Sequence, residues 1–165
     1  ERMERTERKA SETAQLLGEL RKAKYTPGVT LNDWLEKHHQ PEAQNGLSAV
    51  ELLKRPEITL SALAELSPEI RQFGKPAQEQ AEISVKYEGY LERQETLIRH
   101  ARQMEETLLP EDLPYEEVTG LRIEARQKLM KQRPRSLAAA SRIPGVSPAD
   151  VAVLMVFLEK HKGNA

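Results

Sequence analysis

Cysteine is missing from all 165 residues, which excludes disulfides, thiolate zinc sites and cysteine nucleophiles and is compatible with a reducing compartment. Aromatic residues are scarce at 4%, while 31% of the chain is charged, a balance that suits helices with modest cores. No stretch approaches the roughly 20 apolar residues that span a membrane, and the opening Glu-Arg-Met-Glu-Arg-Thr-Glu-Arg lacks the apolar heart of a signal peptide. A soluble, cytoplasmic protein with no membrane attachment is expected, and the abrupt charged opening reads as part of something longer. No strand signal competes anywhere.

Enzyme chemistry is equally thin. The glycines form neither a phosphate loop nor a Gly-x-Gly-x-x-Gly turn, and Ser141 lacks a nucleophile elbow. His38 and His39 are adjacent and His100 and His161 isolated, so no pair has the i, i+4 spacing that aims two imidazoles at one metal. The glutamates lie among Lys and Arg on helices, where solvated ion pairs account for them. No catalytic, cofactor-binding or metal-binding residue is expected in this chain.

What the chain does contain is a helix-hairpin-helix pattern at Leu137–Leu154. Ser147 suits an N-cap, Pro148 the first helical position, and Asp150 completes a capping box. Ile143, Val146 and Leu154 supply an apolar underside. Gly145 beside the helix terminus is a geometry that accepts an anion, or else a well-capped hairpin and nothing more. Just upstream, Arg122, Arg126, Lys128, Lys131, Arg133, Arg135 and Arg142 are opposed only by Glu124, in a chain of net charge −1. Such one-sided charge points to a polyanion, or balances the acidic stretch at Glu105, Glu106, Glu111, Asp112, Glu116 and Glu117. Tyr115 is the one aromatic close enough to the basic segment to stack.

Three stretches organise the chain. Residues 1–75 carry short helices: one through Leu16, Leu17 and Leu20, one capped at Thr30 with Leu31, Trp34 and Leu35, one capped at Ser48, another starting near Thr59, and a cap-then-proline start at Ser67-Pro68. Residues 76–108 form a long spine helix, in which Ile83, Tyr87, Tyr90, Leu91, Gln94, Leu97, Ile98 and Ala101 recur at helical spacing. Lys86, Gly89, Tyr90 and Arg93 share a face of it. Gly89 leaves a notch there, either for a phosphate or partner backbone or for a close-packed neighbouring helix. Residues 109–165 form a small basic helical unit. Its last helix carries Val153, Leu154, Phe157 and Leu158, which dock on the spine or fill a partner groove. The fold class is all-α: short N-terminal helices, a long spine, and a C-terminal bundle containing the hairpin.

The order Leu52-Leu-Lys-Arg-Pro-Glu-Ile-Thr59, Val85-Lys-Tyr-Glu-Gly-Tyr90, Leu108-Leu-Pro110, Arg133-Pro134 and Ala140-Ser-Arg-Ile-Pro-Gly-Val-Ser-Pro-Ala-Asp150 resembles the C-terminal helical domain of the MnmG (GidA) family. The resemblance covers nearly the whole chain, with Pro144 departing from a frequent serine. It implies a piece of an FAD- and NADH-using enzyme that, with the GTPase MnmE, modifies carbon 5 of the wobble uridine of tRNA. The flavin site of that enzyme would lie upstream and this piece would be inert alone. It also implies a homodimeric full-length protein. Lys86, Tyr90, Arg93, Arg122, Arg126, Arg133, Arg142 and Gly145 become candidates for contact with tRNA or MnmE, and Val153, Leu154, Phe157 and Leu158 for a partner helix. The competing readings are a free-standing helix-hairpin-helix module for nucleic acid and a purely structural docking domain.

Overall fold

The computed structural model describes residues 1–162. The described residues form eight α-helices, two two-residue strands and two 3₁₀ turns, in two compact units, Glu1–Gln94 and Glu95–Ala165. The long helix is divided between the two units.

In the first unit, α1 (Arg2–Lys22) buries Thr13, Leu16 and Leu20, which recur at helical spacing on one side. The chain then makes a strand that the sequence did not signal. Lys24–Tyr25 (β1) pairs antiparallel with Leu47–Ser48 (β2), because two residues per strand are too few for an alternating pattern to show. Helix α2 (Val29–Lys37) starts at Gly28 and has no side-chain cap, so Thr30 lies inside the helix and does not begin it. Its Trp34 donates Nε1–H to the Ala62 carbonyl at 3.1 Å. Helix α3 (Ala49–Leu53) opens on a complete capping box between Ser48 and Glu51, and α4 (Leu60–Leu63) on the Thr59 hydroxyl. Ser67 precedes the 3₁₀ turn Pro68–Gln72 without capping it; its hydroxyl pairs with that of Tyr25.

The long helix α5 (Lys75–Glu106) buries a face that spacing alone does not pick out. Its buried residues are the small ones, Ala77, Ala81, Val85 and Gly89, set four apart. Ile83, Tyr87 and Leu97, picked out by helical spacing, are each more than 60% exposed, and Tyr90, Leu91 and Ile98 also face solvent. Gly89 explains the choice of face: a Cβ there would lie 2.9 Å from the Lys54 carbonyl oxygen. Only a small-residue ridge lets the end of α3 come that close.

The second unit closes around Tyr115, Leu129, Leu137 and Leu154. A 3₁₀ turn at Tyr115–Glu117 leads past Gly120, at φ 100°, to α6 (Ile123–Gln132), α7 (Leu137–Ser141) and α8 (Pro148–His161). The α7–α8 hairpin takes the expected form, with Gly145 at φ 98° and a capping box between Ser147 and Asp150. Leu108 bridges Ser136, fixed by Leu109 N–H to the Arg135 carbonyl at 2.7 Å and Leu137 N–H to the Thr107 carbonyl at 3.0 Å. Among the described residues no helix is long and apolar enough to cross a membrane.

Candidate functional site

Each cation named as a contact candidate has a place in the molecule's own scaffold. Lys86 is half-buried and donates Nζ–H bonds to the backbone carbonyls of Leu53, at 2.6 Å, Arg55 and Ile58, satisfying the turn that ends α3. Burial pushes its pKa down. Arg93 donates from Nη1 to the Lys54 carbonyl at 3.0 Å, while Lys54 itself reaches Glu92 at 2.8 Å. The notch at Gly89 is thus filled by the Lys54 backbone and the Arg93 guanidinium. Close packing is what the glycine permits. Tyr90 stands on the exposed side of the helix.

In the second unit, Arg122 grips Asp150 with Nη2 at 3.0 Å and Nε at 3.2 Å, and its Nη2 also reaches the Gly145 carbonyl at 3.1 Å. Asp150 is only 2% exposed. Burial alone would raise its carboxyl, but bonds from the Ser147 N–H, the Arg122 guanidinium, the Ser147 hydroxyl and the Arg122 N–H outweigh that and hold it at about 2. The hairpin glycine is covered too: a Cβ on Gly145 would sit 2.9 Å from Glu124 Oε1. The turn expected to accept an external anion lies against the one carboxylate of its own segment.

Arg126 donates to the Val118 carbonyl at 3.2 Å. Arg133 ends α6 in the left-handed region, at φ 46°, and donates to the carbonyls of Leu113 at 2.7 Å and Glu111 at 3.3 Å. Its guanidinium also lies 5.1 Å over the Tyr115 ring. Tyr115 is 1% exposed, so it is a core residue and not a platform for a base. Arg142 forms an ion pair with Glu105.

Three cations of the basic run are left over. Lys128, Lys131 and Arg135 are exposed, and their side chains have no hydrogen-bond or ion-pair partner among the described residues. Lys128 and Lys131 are three apart on α6 and so share a face. Arg135 follows on backbone pinned by its bond from Leu109 N–H. A count of charges cannot separate these three from the structural four, because the structural four mostly bind backbone carbonyls.

The apolar candidates of α8 separate in the same way. Leu154 is fully buried in the core. Val153 packs against Gly120 and lines, with Val156 and Phe157, one groove beside the helix. Phe157, stacked on His161 at 4.0 Å, and Leu158 line a larger groove of about 610 Å³ on the other side.

Two family profiles divide this chain between them. That of the tRNA modifying enzyme MnmG/GidA C-terminal helical domain matches residues 1–95, and that of the MnmG/GidA C-terminal helical bundle matches residues 97–165. The chain belongs to the MnmG/GidA family. The seam between the two matches falls inside α5, where the contacts also divide. Among MnmG relatives, the tRNA uridine 5-carboxymethylaminomethyl modification enzyme of Caldicellulosiruptor saccharolyticus is 38% identical over 162 residues, 98% of this chain and 26% of that protein. The enzyme of the same name from Alkaliphilus oremlandii is 46% identical over 132 residues, 79% of this chain and 21% of that protein. A crystal structure of Aquifex aeolicus GidA matches at 26% identity and a TM-score of 0.38, over 93% of this chain and 23% of that one. The chain spans about a quarter of the length of the curated MnmG relatives it matches.

Proposed function

We propose that this chain is the part of an MnmG-family enzyme that holds tRNA by its phosphates and docks the GTPase MnmE, so that the wobble uridine reaches an active site elsewhere in the homodimeric protein. The observation that carries the RNA half of the reading is the unpartnered trio Lys128, Lys131 and Arg135 within a run that is otherwise engaged internally. Exposed lysines with no internal partner displace counterions from a phosphate backbone at no cost in broken scaffold contacts. Base recognition should be weak, since Tyr115 is buried and phosphate contacts carry no sequence information. FAD and NADH belong to the proposed parent. The 165 residues here contain no Gly-x-Gly step, so they do not fit a dinucleotide turn and no step is routed through either cofactor.

The test is a titration of the chain with a tRNA that carries a wobble uridine, with duplex DNA, and with purified MnmE, each at two salt concentrations. Binding to MnmE, together with a preference for tRNA that weakens steeply with salt, is the expected result. Equal affinity for duplex DNA would favour a general helix-hairpin-helix module instead. Binding to MnmE alone would leave a protein-docking domain.

A further inference from the structure

The groove beside α8 has a built wall, an apolar floor and a mainly acidic rim. Leu108 forms the wall. It is 72% exposed, yet its backbone bridges Ser136 and is flanked by the two strong bonds at Leu109 and Leu137, so this leucine is held out in solvent by rigid backbone. Leu113, Leu137, Met155, Phe157 and Leu158 make the floor. About 610 Å³ is enough for several apolar side chains.

The rim carries Glu106, Asp112 and Glu159, whose carboxylates have no hydrogen-bond or ion-pair partner among the described residues, and Lys162 is the one permanent cation among its described lining residues. His161 lies at the same edge, but its ring is stacked on Phe157 and its Nδ1 is 2.9 Å from the Phe157 carbonyl. Three free carboxylates around an apolar trough would repel an acidic segment and attract a basic one. This is the opposite electrostatic character to the Lys128, Lys131 and Arg135 surface, so nucleic acid is a poor occupant.

We propose that this groove is a docking site for an amphipathic helix of a protein partner, one that places leucine-like residues between Leu108 and Phe157 and lysine or arginine residues along the rim. The inference deepens the docking half of the proposed function and rests on it, since it says which surface receives the partner and what chemistry the partner must bring.

The chain, its Leu108→Ser variant and its Asp112→Lys variant are titrated with purified MnmE and with two synthetic amphipathic helices, one of leucine and lysine, the other of leucine and glutamate. Leu108 is exposed, so its replacement leaves the fold intact, which circular dichroism confirms. The expected result is that each variant weakens MnmE binding at least tenfold. The lysine helix should also bind at least tenfold more tightly than the glutamate helix, and shift the methyl resonances of Met155 and Leu158. MnmE binding that is equal in all three proteins would overturn the groove and leave the docking reading standing. Failure of MnmE to bind, with the lysine helix still seated on Met155 and Leu158, would sink the docking reading and keep the groove. Self-association abolished by Leu108→Ser would replace the basic partner with a second copy of this chain, and overturn the proposal.

Discussion

Arg122 and Asp150 are 28 residues apart, and they close the second unit as a two-point clamp. The guanidinium reaches Asp150 Oδ2 from both Nε and Nη2, and the Arg122 N–H meets Oδ1 at 3.3 Å. The same carboxylate caps α8 through Ser147. One buried acid therefore fixes the start of α6 and the start of α8 together.

This clamp gives a pH signature. Asp150 sits at about 2 in the fold, against an ordinary 3.8. Its contribution is complete above about pH 4 and is lost as pH falls through 2. Because Arg122 is more than half exposed, the gain at neutral pH is on the order of 1–2 kcal/mol. Asp150→Asn should lower urea-unfolding stability by that amount at pH 7 and by much less at pH 2.5. A difference between the two proteins that is the same at both pH values would contradict the clamp.

Two glycines in helices should respond oppositely to alanine. In Gly18→Ala, the new Cβ meets nothing within 4 Å, so the substitution should stabilise by up to about 1 kcal/mol through helix propensity. Gly89→Ala gains the same propensity but drives a methyl into the Lys54 carbonyl. It should destabilise by roughly 1–3 kcal/mol net. Thermal or urea unfolding of the pair decides it, and a stabilised Gly89→Ala would mean the α3–α5 contact is looser than described.

Tyr115 offers a case where removing a polar atom helps. Its hydroxyl is buried with no hydrogen-bond partner among the described residues, and burial raises its pKa. Tyr115→Phe keeps the ring under Arg133 and deletes the unsatisfied group. Stability should stay level or rise by up to about 1 kcal/mol. A loss larger than that would point to a bond that the hydroxyl does make.

The basic run should divide functionally as it divides structurally. Replacing Lys128, Lys131 and Arg135 together with glutamine should leave the helical circular dichroism unchanged and reduce the salt slope of tRNA binding by about one for each cation that contacts phosphate. Arg133→Gln should act through stability instead, since it releases the carbonyls of Leu113 and Glu111. If the triple variant binds tRNA as wild type does, this face is not the RNA surface.

The features legible in the sequence are those set by neighbours along the chain. The cap at Ser48 and the box of Ser147 with Asp150 depend only on residues a few positions apart, and so does the hairpin turn at Gly145. The face of α5 was not legible, because the helix is apolar on two sides and size decided which side was buried. Periodicity weighs Ile83 and Tyr87 above Ala81 and Gly89; packing against the Lys54 backbone reverses that order. The roles of Lys86, Arg126 and Arg133 were hidden for a related reason. Their partners are backbone carbonyls, which carry no residue letter.

Lys86 turns its position into a chemical clock. An ammonium group shared among three carbonyls at the end of α3 cannot react with an acylating reagent until those bonds open, whereas Lys128 and Lys131 are available at all times. Labelling of this one amine therefore reports how often the first unit opens locally, and timed labelling of the folded chain, followed by digestion and mass spectrometry, would read the breathing of that unit from a single peptide.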